Sequence, residues 1–153
     1  MGLFDWRIKP KSNVRILDDQ IWLTGDAKFG GIAAQGAELL GAHDDRFFLI
    51  MTAHFRDCLQ SLEKSVEQCL SRNPRVLVCL AGSLEEDLER NLRLEASRIG
   101  MLLVAERHLL RSHDETIETP AGRQPCPCHV TYNLSLEDPV LRLSGCDRID
   151  PAL

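Results

Sequence analysis

FFLIMTAHFRDCLQSLEKSVEQCLSRNPRVLVCLAG, residues 47–82, decides the fold. FFLIMTAHF is a continuous apolar run, the pattern of a parallel strand covered on both faces. The next segment, FRDCLQSLEKSVEQCL, carries Leu59, Leu62, Val66, Cys69 and Leu70 at helical spacing with charges between them. Asn73 and Pro74 break that helix. RVLVCLAG then repeats the apolar run and stops at Gly82. Buried strand, amphipathic helix and buried strand in succession predict a βαβ unit.

The same alternation extends outward. Upstream, QIWLT (20–24) reads as a short strand, and residues 26–41 as a helix weakened by Gly30, Gly31 and Gly36 and stopped by Gly41. Downstream, Ser83 and Glu86 form a candidate capping box for a helix whose apolar face is Leu84, Leu88, Leu92 and Leu94, ended by Gly100. MLLVAERH predicts a third buried strand, LLRSHDETIE a helix, Pro120 to Pro127 a loop, HVTYNLSL a fourth strand and EDPVLRLSG a turn into a short helix. The expectation is an α/β domain over 18–145, an open, mostly parallel sheet with helices on both faces. An arm precedes it over 1–17 and a tail follows over 146–153.

Composition narrows the function classes. The 153 residues are 44% hydrophobic and 27% charged, the balance of a globular chain with room for one substantial core. The net charge of -5 argues against a nucleic-acid protein, which usually presents a basic face. No apolar run approaches the ~20 residues of a membrane span, and MGLFDWRIKPK lacks the apolar core of a secretion signal. The six cysteines then read as reduced thiols in a cytoplasmic protein.

Four local patterns bear on candidate chemistry. Gly31 and Gly36 have phosphate-loop spacing, but Ala37 and Glu38 stand where a lysine and a hydroxyl are needed, so they read as packing glycines. Cys126, Cys128 and His129 offer zinc ligands from a single C-x-C-H, one short of the four a structural site needs. Their alternative is a proline-stiffened loop holding two thiols. Cys58 and His54 stand four apart, the spacing of a nucleophile and its base, yet Cys58 falls on the packing face of its helix. Glu106, Arg107 and His108 close a strand at its carboxyl end, where open α/β sheets place ligands.

Several segments together resemble one family, SecA, the preprotein translocase ATPase, in its second RecA-like lobe. Asp18, Ile21, Trp22, Thr24, Ala27, Lys28 and Phe29 match the segment with which that lobe begins. From Glu106 to Asp138 the chain aligns with the family without a gap. Glu106, Arg107, His108, Arg111, Asp114, Gly122, Arg123, Gln124, Leu134, Ser135, Leu136, Glu137 and Asp138 coincide with it. The letters PCPC also open the SecA zinc tail, but GSGKK does not follow them here.

The resemblance implies a RecA-like lobe, with Arg107, His108, Arg123 and Gln124 as vestigial nucleotide-contacting residues. It also implies loss of hydrolysis. The family's Q-x-x-G-R-x-G-R motif has become Thr116, Thr119, Pro120 and Arg123, and Pro120 cannot carry the charge that stabilises phosphoryl transfer. The family's AGRGTD corresponds to Ala81 through Glu86, with acids in place of the arginine. No phosphate loop is present, and ATP is not expected as a cofactor. The expected function is a non-catalytic motor-lobe relative that binds a protein, with translocation machinery as the partner class. Two alternatives are a split ATPase half supplying Arg123 to a partner lobe, and a zinc or redox module built on Cys126, Cys128 and His129.

Overall fold

The computed structural model describes residues 13–43, 46–70, 73–91 and 99–143. In chain order the elements are β1 (Val14–Ile16), β2 (Gln20–Trp22), α1 (Gly25–Ala42), β3 (Phe47–Ala53), α2 (Arg56–Cys69), β4 (Val76–Leu80), α3 (Leu84–Asn91), β5 (Ile99–Val104), α4 (Arg111–Gly122), β6 (Cys128–Ser135) and α5 (Pro139–Leu143). A short 3-10 turn, Ala81–Ser83, joins β4 to α3. The sheet runs β1, β6, β5, β3, β4, with β2 also on β6, and every pairing is parallel. This is the α/β open sheet expected from the sequence.

β3 lies inside the sheet, and all seven of its residues are buried. Its side chains alternate between two cores. Phe48 and Ile50 join Leu102, Val104, Val130 and Tyr132 under Leu84 and Leu88 of α3 and Ile117 and Ala121 of α4. Phe47, Leu49 and Met51 join Met101 and Leu103 on the opposite face, under Ile32 and Leu40 of α1 and Leu62 of α2. Helices therefore cover both faces.

Gly36 of α1 sits where an added Cβ would lie 2.4 Å from Met51 Cε, so the 31–36 glycines are packing positions within a helix, as expected. Gly100 does not end a helix. It lies in β5, and a Cβ there would fall 2.1 Å from the Phe48 ring.

Three further expectations need correction. The arm assigned to 1–17 reaches into the sheet, because Val14–Ile16 pairs with Cys128–Val130. The Ser83–Glu86 capping box is not formed: the Ser83 hydroxyl lies 2.9 Å from Asp87 Oδ2 and 3.2 Å from Leu80 O. The 120–127 loop is shorter than expected, since α4 continues through Pro120 to Gly122. Buried Pro120 and Ala121 make that last turn worthwhile, and the Arg123 and Gln124 side of the turn bonds back to it through Arg123 N to Pro120 O. The helix expected from 85 to 98 is described as far as Asn91, and Leu92 and Leu94 lie outside the described residues.

The edge strand beside β6 has one irregularity. β1 ends opposite Val130 and β2 begins opposite Asn133, so Leu17, Asp18 and Asp19 stand against Thr131 and Tyr132. Asp19 lies in this connection between the two strands.

Candidate functional site

The carboxyl ends of β3 and β5 bring His54, Phe55, Glu106, Arg107 and His108 together. Phe55 starts α2 without a side-chain cap. Glu106 Oε2 supplies the missing acceptor, taking the His54 and Phe55 amides at 3.1 and 3.2 Å.

Asp114, in the first turn of α4, is 2% exposed and is the hub of the cluster. Oδ1 accepts from His54 Nε2 at 3.0 Å and from the His108 amide at 3.1 Å, while Oδ2 accepts from Arg107 Nη1 at 3.2 Å. Burial alone would raise this carboxyl. The bonds from His54 and His108 and the charges of His54 and Arg107 outweigh it and hold Asp114 below the usual carboxylate range.

Arg107 is committed on three sides. It donates to both oxygens of Asp19, at 2.9 and 2.8 Å, reaches Asp114, and lies with Cζ 3.9 Å from the Tyr132 ring centroid. The Asp19 bonds lead in pushing its pKa up. Tyr132 in turn donates to Glu118 Oε1 at 2.8 Å. The guanidinium is a structural bridge between Asp19 at the sheet edge, α4 and β6.

Arg123 occupies a different place. It is exposed and meets Glu85 Oε1 at 3.1 Å across a cleft of about 370 Å³. Ala81, Gly82, Glu85, Glu115, Thr119 and Pro120 are among the other lining residues. Two acids thus face one arginine. Gln124 turns back to close α4, donating from Nε2 to Pro120 O at 2.8 Å. The four residues expected at a nucleotide therefore do not converge. Arg107 and His108 belong to the carboxyl-edge cluster, Arg123 to the cleft and Gln124 to a helix end.

The thiol patterns resolve by strand geometry. Cys128 is fully buried on the α3/α4 face with Val130 and Tyr132, and His129, the next residue along β6, points to the other face. Cys128 Sγ donates to Cys126 O at 3.6 Å. Burial pushes both thiols up, Cys128 to about 12. Among the described residues, no group of three or more His, Cys, Asp or Glu is placed to hold a metal ion. Cys58 Sγ points to Ala105 O at 3.9 Å and its pKa is raised, by burial first and then by Glu106, while His54 turns to Asp114. They do not form a nucleophile–base pair.

The segments at the two ends of the domain meet. Thr24 caps α1 by accepting from the Ala27 amide at 3.1 Å, and the Gly25 amide donates to Glu137 at 3.4 Å. Lys28, 2% exposed, places Nζ 2.9 Å from both oxygens of Asp138, which also accept from the Ser135 amide and hydroxyl. No protein-family model matches the chain.

Sequence reasoning missed Asp114 as a hub, Asp19 as the outer partner of Arg107 and the Lys28–Asp138 pair. One cue existed for Asp114: an acid in the first turn of a helix, three residues before the buried Ile117. A polar ring directly after a fully buried strand was the corresponding cue for His54.

Proposed function

We propose that this chain is a nucleotide-silent relative of the second SecA motor lobe that acts by binding a protein, with translocation machinery as the partner class. The observation that carries the reading is the cleft between Ala81–Glu85 and Thr116–Arg123. The resemblance assigns nucleotide contacts to those two segments, and they do face each other across one opening. Its charge has the wrong sign for a triphosphate, because Glu85 occupies the one arginine and Glu115 adds a second acid. The Lys28–Asp138 pair supports the same reading, since it ties together the two segments that match the family best. Exposed Phe55, Leu109 and Leu110 at the carboxyl edge supply apolar surface for a protein contact.

The test has two arms. Thermal unfolding of the purified chain should not shift in millimolar Mg-ATP or Mg-ADP. Photo-crosslinkers placed at Phe55 and Leu109 should give a saturable product with a translocation component. Mg-ATP stabilisation with turnover would defeat the silent-lobe reading, and an absence of saturable crosslinks would defeat the protein-binding one.

A second reading is a split motor, in which Arg123 reaches the phosphates bound on another chain. The exposure of Arg123, 68% of its side chain, favours it. It requires that a phosphate-loop lobe gain ATPase activity on addition of this chain and lose that gain with Arg123→Ala.

A further inference from the structure

The turn between β5 and α4 contains a second device, built from imidazoles and separate from the acidic cleft. We propose that the Glu106–Leu110 turn is an acid-sensitive latch on the start of α4, held closed by a neutral His108. The inference stands whether or not the chain binds a partner.

The geometry sets the protonation state. The Leu110 amide donates to His108 Nδ1 at 3.0 Å, so Nδ1 must be an acceptor there and the ring proton sits on Nε2. Leu110 is the N-cap residue that precedes α4, and it makes no side-chain cap bond. The bond to His108 therefore shapes the start of the helix. A proton on Nδ1 would set two donors against each other at that distance and break the bond.

The neighbours add a second penalty. His108 stacks on His113 of α4 with ring centroids 3.9 Å apart and planes 11° from parallel. It also meets His54 edge-on at 5.3 Å and lies 5.4 Å from the Phe55 ring. Two imidazolium rings at the stacking distance repel.

Two carboxylates oppose these effects: Asp114 on α4, held to the His108 amide, and Glu106 within the turn. Each is already engaged. Asp114 accepts from His54 and Arg107, and Glu106 from the His54 and Phe55 amides. Partial burial first, then His113 and His54, push His108 below the ordinary imidazole range despite those acids.

The sign follows. A histidine depressed in the folded state favours the closed turn at neutral pH, and that advantage is lost as pH falls below the ordinary value of about 6.5. Opening frees His113 from the stack and releases Leu110 from its bond, so the first turn of α4 loosens while the sheet stays intact.

An NMR titration of the purified chain from neutral to mildly acidic pH tests this. His108→Asn keeps a side-chain acceptor for the Leu110 amide and removes the titrating ring. His113→Ala removes the stack alone. In the wild-type chain, the Leu110 amide should lose its hydrogen-bonded shift and exchange faster with the same midpoint as the His108 ring, below that of free histidine. His108→Asn should abolish the transition, and His113→Ala should move the midpoint upward. A Leu110 amide that stays bonded while His108 titrates would overturn the latch. So would an equal acid response in His108→Asn, or an unmoved midpoint in His113→Ala, which decides the matter if His108→Asn does not fold.

Discussion

Lys28 offers the sharpest stability test. Its ammonium is 2% exposed, Asp138 is 13% exposed, and both carboxylate oxygens lie 2.9 Å from Nζ. At that distance and an effective dielectric near 20 the attraction is about 6 kcal/mol, most of it offset by the desolvation of both groups. Removing one partner strands the other, which generally costs about 3–5 kcal/mol.

The structure predicts an asymmetry within that range. After Lys28→Met, Asp138 keeps two donors from Ser135 and some solvent, so the cost should fall near the lower limit, about 3 kcal/mol. After Asp138→Ala, the ammonium stays buried beside the Phe29 ring at 4.9 Å without its carboxylate, and the cost should approach the upper limit of about 5 kcal/mol. For a domain of this size, the first variant should melt about 6–12 °C lower. Lys28→Met combined with Asp138→Leu should recover much of the loss, because an apolar pair leaves no stranded charge. Urea unfolding of the two single variants and the double variant measures all three. The reasoning fails if Lys28→Met costs under about 1 kcal/mol, or if the double variant is no more stable than Asp138→Ala.

Other outcomes follow from the same packing. Gly100→Ala would press a methyl group into the Phe48 ring and should destabilise by about 1–3 kcal/mol in chemical denaturation, whereas Gly41→Ala, with open space around it, should not. Asp114 is held below its ordinary pKa, so its contribution is present above about pH 3.9 and fades as pH falls through that range. Asp114→Asn should flatten the acid limb of stability measured against pH. Among the cysteines of the described residues, alkylation under native conditions should modify exposed Cys69 first. Cys128, with a pKa of about 12 and no exposure, should react only after unfolding, and mass spectrometry of the modified peptides would show the order.

The sequence by itself determined the alternation of strands and helices. Runs such as FFLIMTA and VLVCL are local, and their lack of polar alternation requires cover on both faces. It also determined that Gly31 and Gly36 are packing residues, because Ala37 and Glu38 deny them phosphate chemistry. It did not reveal that Val14–Ile16 is a sheet strand, since three residues of half-exposed edge carry no distinctive pattern. Nor could it separate Cys128 from His129 until the strand boundary fixed which face each takes.

Only the tertiary structure decided the chemistry of the carboxyl edge. His54 and Asp114 are 60 residues apart in the chain, Arg107 and Asp19 are 88, and Lys28 and Asp138 are 110. Periodicity places a residue on a face of its own helix or strand. Which faces then meet depends on the crossover connections, and these follow from the packing of the whole sheet.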